Sequence, residues 1–117
     1  MQAPNISTAI PQRRFQLGDY SAVVLGNIES NDPMPYRFIL ALVPEGAKKP
    51  VLYVISQKAR RADAASGSHQ LRIVSENLDE SISVSDLWGD LDGFTTEAML
   101  VTRKAMGLMD EQPYQMM

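Results

Sequence analysis

Short connections between apolar segments are the feature that most restricts the fold of this chain. Three segments rich in Val, Ile, Leu and aromatic residues span 20–29, 36–43 and 51–56, and only six and seven residues separate them. Each connection contains two prolines, which cannot continue a strand ladder. Parallel neighbours need a crossover of about a dozen residues or more, whereas antiparallel strands are joined by short turns. The pattern therefore predicts an antiparallel β-meander.

Further along, a strand-like segment and a helical one complete the prediction. Residues 69–75 alternate apolar and polar side chains, as a half-exposed strand does, and Ile82 and Val84 suggest a short edge strand. Residues 94–109 show the helical period, with Asp92 as the expected N-cap. The expected buried face of this helix comprises Phe94, Ala98, Val101, Ala105, Leu108 and Met109. The predicted fold class is α+β, a meander of four to five strands with one principal C-terminal amphipathic helix packed on one face.

The chain length predicts a single domain with two short ends. Single domains commonly have about 100–150 residues, and this chain has 117. Residues 1–14, which include Pro4 and Pro11, are expected to form a flexible N-terminal arm. Residues 15–109 are expected to form the α+β domain, and residues 110–117 a C-terminal tail.

Composition excludes several classes of function. The chain has no cysteine, so disulfides, thiol catalysis and cysteine metal sites are excluded, and its single histidine disfavours histidine metal sites. We therefore expect no cofactor and no metal. The net charge of −3 disfavours nucleic acid and anionic membranes as partners. Charge is uneven, with nine basic and five acidic residues in 1–75 against two and nine in 76–117, which solvated loops explain.

The N-terminal residues and the hydropathy predict a cytoplasmic location. No basic start is followed by an apolar run of secretory-signal length. No segment approaches the ~20 apolar residues that cross a bilayer. We therefore expect neither export nor membrane insertion.

Five residues are candidates for binding, and each also has a structural interpretation. They are Lys58, Arg60, Arg61, His69 and Trp88. The three cations suit an acidic partner or a phosphate, but no glycine-rich strand-to-helix turn accompanies them. The histidine lies beside serines, yet no G-x-S-x-G motif is present to support nucleophilic catalysis. The tryptophan is expected to fill the gap between helix and sheet.

An aspartate-rich segment, residues 86–93, has the appearance of a calcium loop. With Asp90 and Asp92 as the third and fifth ligands, the first and twelfth positions fall on Trp88 and Met99, which cannot bind Ca²⁺. Helix capping and turn formation explain these aspartates better.

The second of the three segments, residues 36–43, is apolar on both faces. Tyr36, Phe38, Leu40 and Leu42 are expected to share one face, and Ile39, Ala41 and Val43 the other. Because one helix covers only one face, a homodimer is expected to cover the second. The alternative is a strongly twisted or half-closed sheet whose side chains cover one another.

Three functional hypotheses remain open at this point. The leading one is a non-catalytic, adaptor- or chaperone-like domain that works through protein contacts, because no acid, base and nucleophile are placed together in the sequence. In size, acidity and strand-rich middle the chain resembles small acidic bacterial secretion chaperones, without their opening amphipathic helix. The alternative is a small-ligand or regulatory binding domain with a pocket between sheet and helix, near Trp88 and the 57–69 loop. An enzyme using scattered carboxylates such as Asp86, Asp90 and Glu97 is the least favoured, and no catalytic residue is assigned.

Overall fold

The computed structural model describes residues 3–60 and 65–116. In these residues a single antiparallel sheet of seven strands has the order β6-β5-β4-β3-β2-β1-β7. The strands are β1 (Ile6–Leu17), β2 (Tyr20–Ser30), β3 (Tyr36–Pro44), β4 (Leu52–Lys58), β5 (His69–Ser75), β6 (Leu78–Ser85) and β7 (Tyr114–Gln115). A 3₁₀ turn at Asp86–Gly89 and helix α1 at Leu91–Met106 follow β6. The predicted α+β class with one helix is confirmed, but the sheet has seven strands rather than four to five.

Two of the seven strands lie where the sequence suggested an arm and a tail. Residues 6–14 belong to β1, which pairs with β2 as far as the turn before Tyr20. Pro11 lies at a register shift in this pairing, and a proline without an N–H is tolerated at such irregularities. The short β7, from the expected tail, pairs with β1 at Phe15 and Gln16.

Helix α1 begins and ends earlier than its apolar period predicts. The Asp90 side chain caps it by accepting a hydrogen bond from the Gly93 N–H at 2.9 Å, so Asp92 is not the N-cap. Gly107 ends the helix in the left-handed conformation, with φ of 69°. Leu108 therefore lies beyond the helix. In the described residues no helix is long and apolar enough to span a membrane.

The buried face of α1 is rotated from the predicted one. Phe94 and Ala98 are buried as predicted, whereas Ala105 is exposed and Val101 only half-buried. Met99 and Thr102 take part in the buried face instead. Because Thr102 is polar, the apolar pattern did not assign it to the buried face. Its buried hydroxyl has no hydrogen-bond partner among the described residues.

The sheet face turned away from α1, here called the second face, is covered within the chain. Ile39 and Ile55 are completely buried there and Val74 is 1% exposed. Five partly buried side chains pack against them: Ile6, Leu25, Ile28, Tyr36 and Tyr53. This coverage agrees with the alternative of a sheet whose side chains cover one another. The second face therefore gives no reason to expect a homodimer, and the homodimer stays a prediction.

A β-bulge at Arg37 changes which residues share a face. Tyr36 pairs with Gln57 and Phe38 with Ser56, so Arg37 is an extra residue between two consecutive pairs. Phe38 packs beneath the helix, but Tyr36 packs on the second face. The expectation that both aromatic side chains face the same way is therefore wrong for Tyr36.

Candidate functional site

The two cationic candidates that the structure describes lie at, and just after, the end of β4. Lys58 ends β4 directly opposite His69, the first residue of β5. Lys58 and Arg60 are exposed, and Arg61 lies outside the described residues. None of the described candidates lines either of the two cavities described below.

His69 packs against the 3₁₀ turn rather than facing a cavity. A Cβ placed on Gly89 would lie 2.7 Å from His69 Cε1, so only glycine leaves room for the ring. The Gly89 carbonyl accepts a hydrogen bond from Arg37 Nε at 3.0 Å, and His69 Nδ1 lies 2.8 Å from Ser68 Oγ. Burial, and secondarily the charge of Arg37, lowers the His69 pKa from its usual 6.5, against the opposing charge of Asp86. His69 thus joins the start of β5 to the turn that precedes α1.

The lowered pKa of His69 predicts a specific pH dependence of stability. As the pH falls, the unfolded state binds the proton before the folded state does, so protonation favours unfolding. This contribution is fully present above about pH 6.5 and is lost as the pH falls below that value toward the folded-state pKa. We expect His69→Gln to lose less free energy of unfolding than the unmodified protein between about pH 7.5 and about pH 5.5 in urea titrations. The carboxylates titrate in both proteins, so a difference between them reports on His69 alone. Equal losses of free energy of unfolding would therefore contradict the lowered pKa of His69.

Trp88 is a core residue. It is 9% exposed and belongs to the cluster between sheet and helix, which confirms the gap-filling interpretation. Its indole N–H donates to Ser83 Oγ at 3.2 Å, and its carbonyl accepts a hydrogen bond from the Ser56 hydroxyl. The fold itself thereby satisfies the indole N–H and the carbonyl of Trp88.

The aspartates of the 86–93 segment have structural partners. Asp86 Oδ1 accepts from the Ser68 N–H at 2.8 Å, Asp90 caps α1, and Asp92 forms an ion pair with Arg13. Within the described residues no three His, Asp or Glu side chains are grouped to hold a metal ion. Asp90 therefore has the predicted capping role, whereas Asp86 and Asp92 contact residues that are distant in the sequence.

The second face carries a cavity of about 280 Å³ that the sequence did not indicate. We call it the second-face cavity, and its lining residues are Ala3, Asp32, Pro33, Met34, Tyr36, Gln57 and Arg72. Strand pairing assembles it, because Tyr36, Gln57 and Gln70 lie opposite one another on β3, β4 and β5. Arg72 is two residues further along β5, and the β2–β3 connection supplies Asp32.

Gln57 is the unusual residue of this cavity. Its side chain is 8% exposed, and its amide Oε1 is buried without a hydrogen-bond partner. The opposite Gln70 is 7% exposed, but its Nε2 donates to Ser81 Oγ at 2.8 Å. A buried acceptor left unpaired costs about 1–3 kcal/mol, so the fold retains an unfavourable polar atom in a residue that lines the cavity.

Asp32 and Tyr36 form a hydrogen-bonded pair on the same wall. The Tyr36 hydroxyl donates to Asp32 Oδ2, which also accepts from the Asn5 N–H at 2.9 Å. These bonds, the tyrosine's first, lower the Asp32 pKa, so the carboxylate stays ionised near neutral pH. Burial and then this hydrogen bond raise the Tyr36 pKa to about 12, which keeps its proton in place.

Arg72 lines the cavity, and the protein provides its guanidinium with few hydrogen-bonding or charged partners. Its Nε is buried and makes no hydrogen bond to the described residues. Asp79 Oδ1 lies 3.6 Å away, within ion-pair range but beyond hydrogen-bond range. The donors of Arg72 are therefore poorly satisfied by the protein.

A smaller cavity of about 170 Å³ lies near the start of α1. Its lining residues are Gln12, Gly26, Asn27, Arg37, Phe38 and Leu91. None of these described residues carries an unpartnered buried polar atom. The second-face cavity is therefore the better-built candidate site.

None of the polar residues of the second-face cavity was among the sequence candidates. Asp32 served only as a turn signal, and the bulge at Arg37 moved Tyr36 to the unexpected face. The one available signal was Gln57, a polar residue that continues the otherwise apolar alternation of Tyr53 and Ile55.

No protein-family model, curated protein or solved structure matches the chain.

Proposed function

We propose that this protein is a small-ligand or regulatory binding domain whose ligand occupies the second-face cavity. The observation that carries the proposal is Gln57, which lines the cavity, is more than nine-tenths buried and has an unpaired amide oxygen. Buried polar groups in folded proteins are nearly always hydrogen-bonded, and a ligand is one way to meet the deficit. This departs from the pocket beside Trp88 suggested by the sequence, because the core fills that place.

Size and charge limit the class of ligand. Ligand cavities commonly measure about 300–1,000 Å³, so about 280 Å³ suits a small metabolite rather than a dinucleotide. The Arg72 guanidinium offers paired N–H donors, which match a carboxylate or phosphate group. An anionic group is therefore the expected recognition element.

The protonation states favour binding over proton-transfer chemistry. A general base works best with a pKa near the operating pH. The lowered pKa of Asp32 makes this carboxylate a weak base, and the pKa of about 12 makes Tyr36 a firm hydrogen-bond donor. Both groups are suited to holding a ligand in a fixed orientation.

Thermal-shift screening with charged and uncharged small metabolites tests the proposal. A ligand at about 100 times its Kd adds about 2.7 kcal/mol of stability, which a melting curve resolves. Arg72→Gln should remove the ligand-induced shift measured from the variant's own unliganded Tm. Arg37→Gln, in the smaller cavity, should retain it. Either the absence of any saturable shift, or shifts that survive Arg72→Gln, would overturn the proposal.

Protein contact is the second candidate function, and the outer edge of β6 favours it. In the described part of the chain no strand pairs with this edge. Ile82 on β6 is 39% exposed and Leu87 just after it is 60% exposed. An unpaired edge with apolar side chains can accept a strand from another chain, including a second copy. Light scattering during gel filtration tests the homodimer, since a mass near 13.0 kDa at micromolar concentration would contradict it.

A further inference from the structure

The second-face cavity holds two opposite charges that do not neutralise each other. Asp32 and Arg72 both line it, and the only ion pairs in the described residues are Arg13–Asp92 and Arg72–Asp79. Asp32 and Arg72 are close enough for the guanidinium charge to contribute to the low Asp32 pKa. The cavity is thus bounded by a negative and a positive group without a direct contact between them.

Each group retains hydrogen-bonding capacity toward the cavity. Asp32 Oδ2 is occupied by the Tyr36 hydroxyl and the Asn5 N–H, whereas no described residue donates to Oδ1. The Arg72 Nε makes no hydrogen bond to a described residue, and its ion pair with Asp79 is long at 3.6 Å. A carboxylate oxygen and a guanidinium are therefore both available to one ligand.

We infer that the ligand is a zwitterion of the α-amino acid class, an inference that rests on the proposed function. The ligand carboxylate pairs with the Arg72 guanidinium, and its ammonium donates to Asp32 Oδ1. Gln57 lines the cavity beside these two groups and offers its amide to the same ligand. A ligand of one charge sign would satisfy one group while removing the other from water without compensation, which costs free energy.

The second-face cavity also suits a short apolar side chain. Pro33 and Met34 line it, and Met34 is 36% exposed. Methionine side chains adapt to ligands of different shape, so Met34 offers apolar contact to the amino acid side chain. The small volume of about 280 Å³ limits the ligand to about the size of a single amino acid.

Calorimetric titration of the full chain with matched compounds tests the inference. The probes are L-alanine, L-methionine and L-leucine, together with analogues lacking either the amine or the carboxylate, such as propionate and ethylamine for alanine. We expect the best amino acid to bind at least about tenfold more tightly than either of its analogues, a difference of about 1.4 kcal/mol.

Two variants assign the two charges. Asp32→Asn should weaken the amino acid but not its des-amino analogue, because the asparagine oxygen still accepts from Tyr36 and Asn5 and preserves the turn. Arg72→Gln should weaken both compounds. Circular dichroism melts confirm that each variant is folded.

The outcomes separate this inference from the proposed function. Analogues that bind as tightly as the amino acid would overturn the zwitterion inference and leave a small-ligand site. If other metabolites, but no amino acid, bind in an Arg72-dependent way, the zwitterion inference is likewise overturned and the small-ligand site remains. If nothing binds, or if binding survives Arg72→Gln, both proposals are overturned.

Discussion

Replacing Phe94 with alanine is expected to lower the free energy of unfolding by about 3–5 kcal/mol, the largest effect we expect from a single substitution. Phe94 is completely buried between α1 and the sheet, and its ring centroid lies 5.5 Å from that of Phe38. The truncation loses the transfer free energy of the ring and leaves a cavity that close-packed neighbours fill only in part. For a domain with a total stability of about 5–15 kcal/mol, such a loss is a large fraction.

Urea denaturation followed by circular dichroism measures this effect, and Leu87→Ala is the matched control. Leu87 is also a large apolar residue near the start of the helix, but it is 60% exposed. Its truncation should change stability by no more than about 0.5 kcal/mol. Equal urea midpoints for the two variants would contradict the docking of α1 through Phe94.

Replacing Gln57 with leucine is expected to stabilise the protein while removing ligand binding. The leucine side chain has a similar size but no unpaired acceptor, so about 1–3 kcal/mol of desolvation cost is relieved. The same change removes the amide from the second-face cavity. A gain in stability with a loss of binding is typical of a residue retained for function.

Gln70→Leu is the matched control for this second prediction. Gln70 lies directly opposite Gln57 and is as deeply buried, but its amide already donates to Ser81. Its replacement breaks a hydrogen bond and should therefore leave stability unchanged or lower it. If Gln57→Leu proves no more stable than Gln70→Leu in urea titrations, the unpaired amide of Gln57 has no energetic consequence and the argument from it fails.

The strands and faces that the sequence predicted correctly are those that depend on local patterns. Short proline-containing connections restricted 20–58 to antiparallel neighbours, and the strand predicted at 69–75 is β5, His69–Ser75. Its burial does not alternate as predicted, because residues on both of its faces are buried. In β4, Leu52 and Val54 face the helix while Tyr53 and Ile55 face away, as period-two alternation requires. The helix was recognised from its period, although its ends and its buried face were displaced.

The misassigned features are those in which one part of the chain acts on a distant part. The N-terminal residues contain prolines and look locally irregular, yet they form β1 because β2 supplies a partner edge. Thr102 is buried because of where the helix docks, which its polarity does not reveal. The coverage of Ile39 by residues from other strands was likewise invisible in its own segment.

The antiparallel meander and its single helix could be predicted without a structure, because turn chemistry and side-chain period act within a few residues. The candidate site could not, because it depends on contacts between distant segments. The bulge at Arg37 turned Tyr36 onto the second face, and strand pairing placed it beside Gln57 and Arg72. Tyr36, Gln57 and Arg72 are separated along the chain by 15 positions or more, and the Gln57 oxygen is buried without a partner only after the strands have paired.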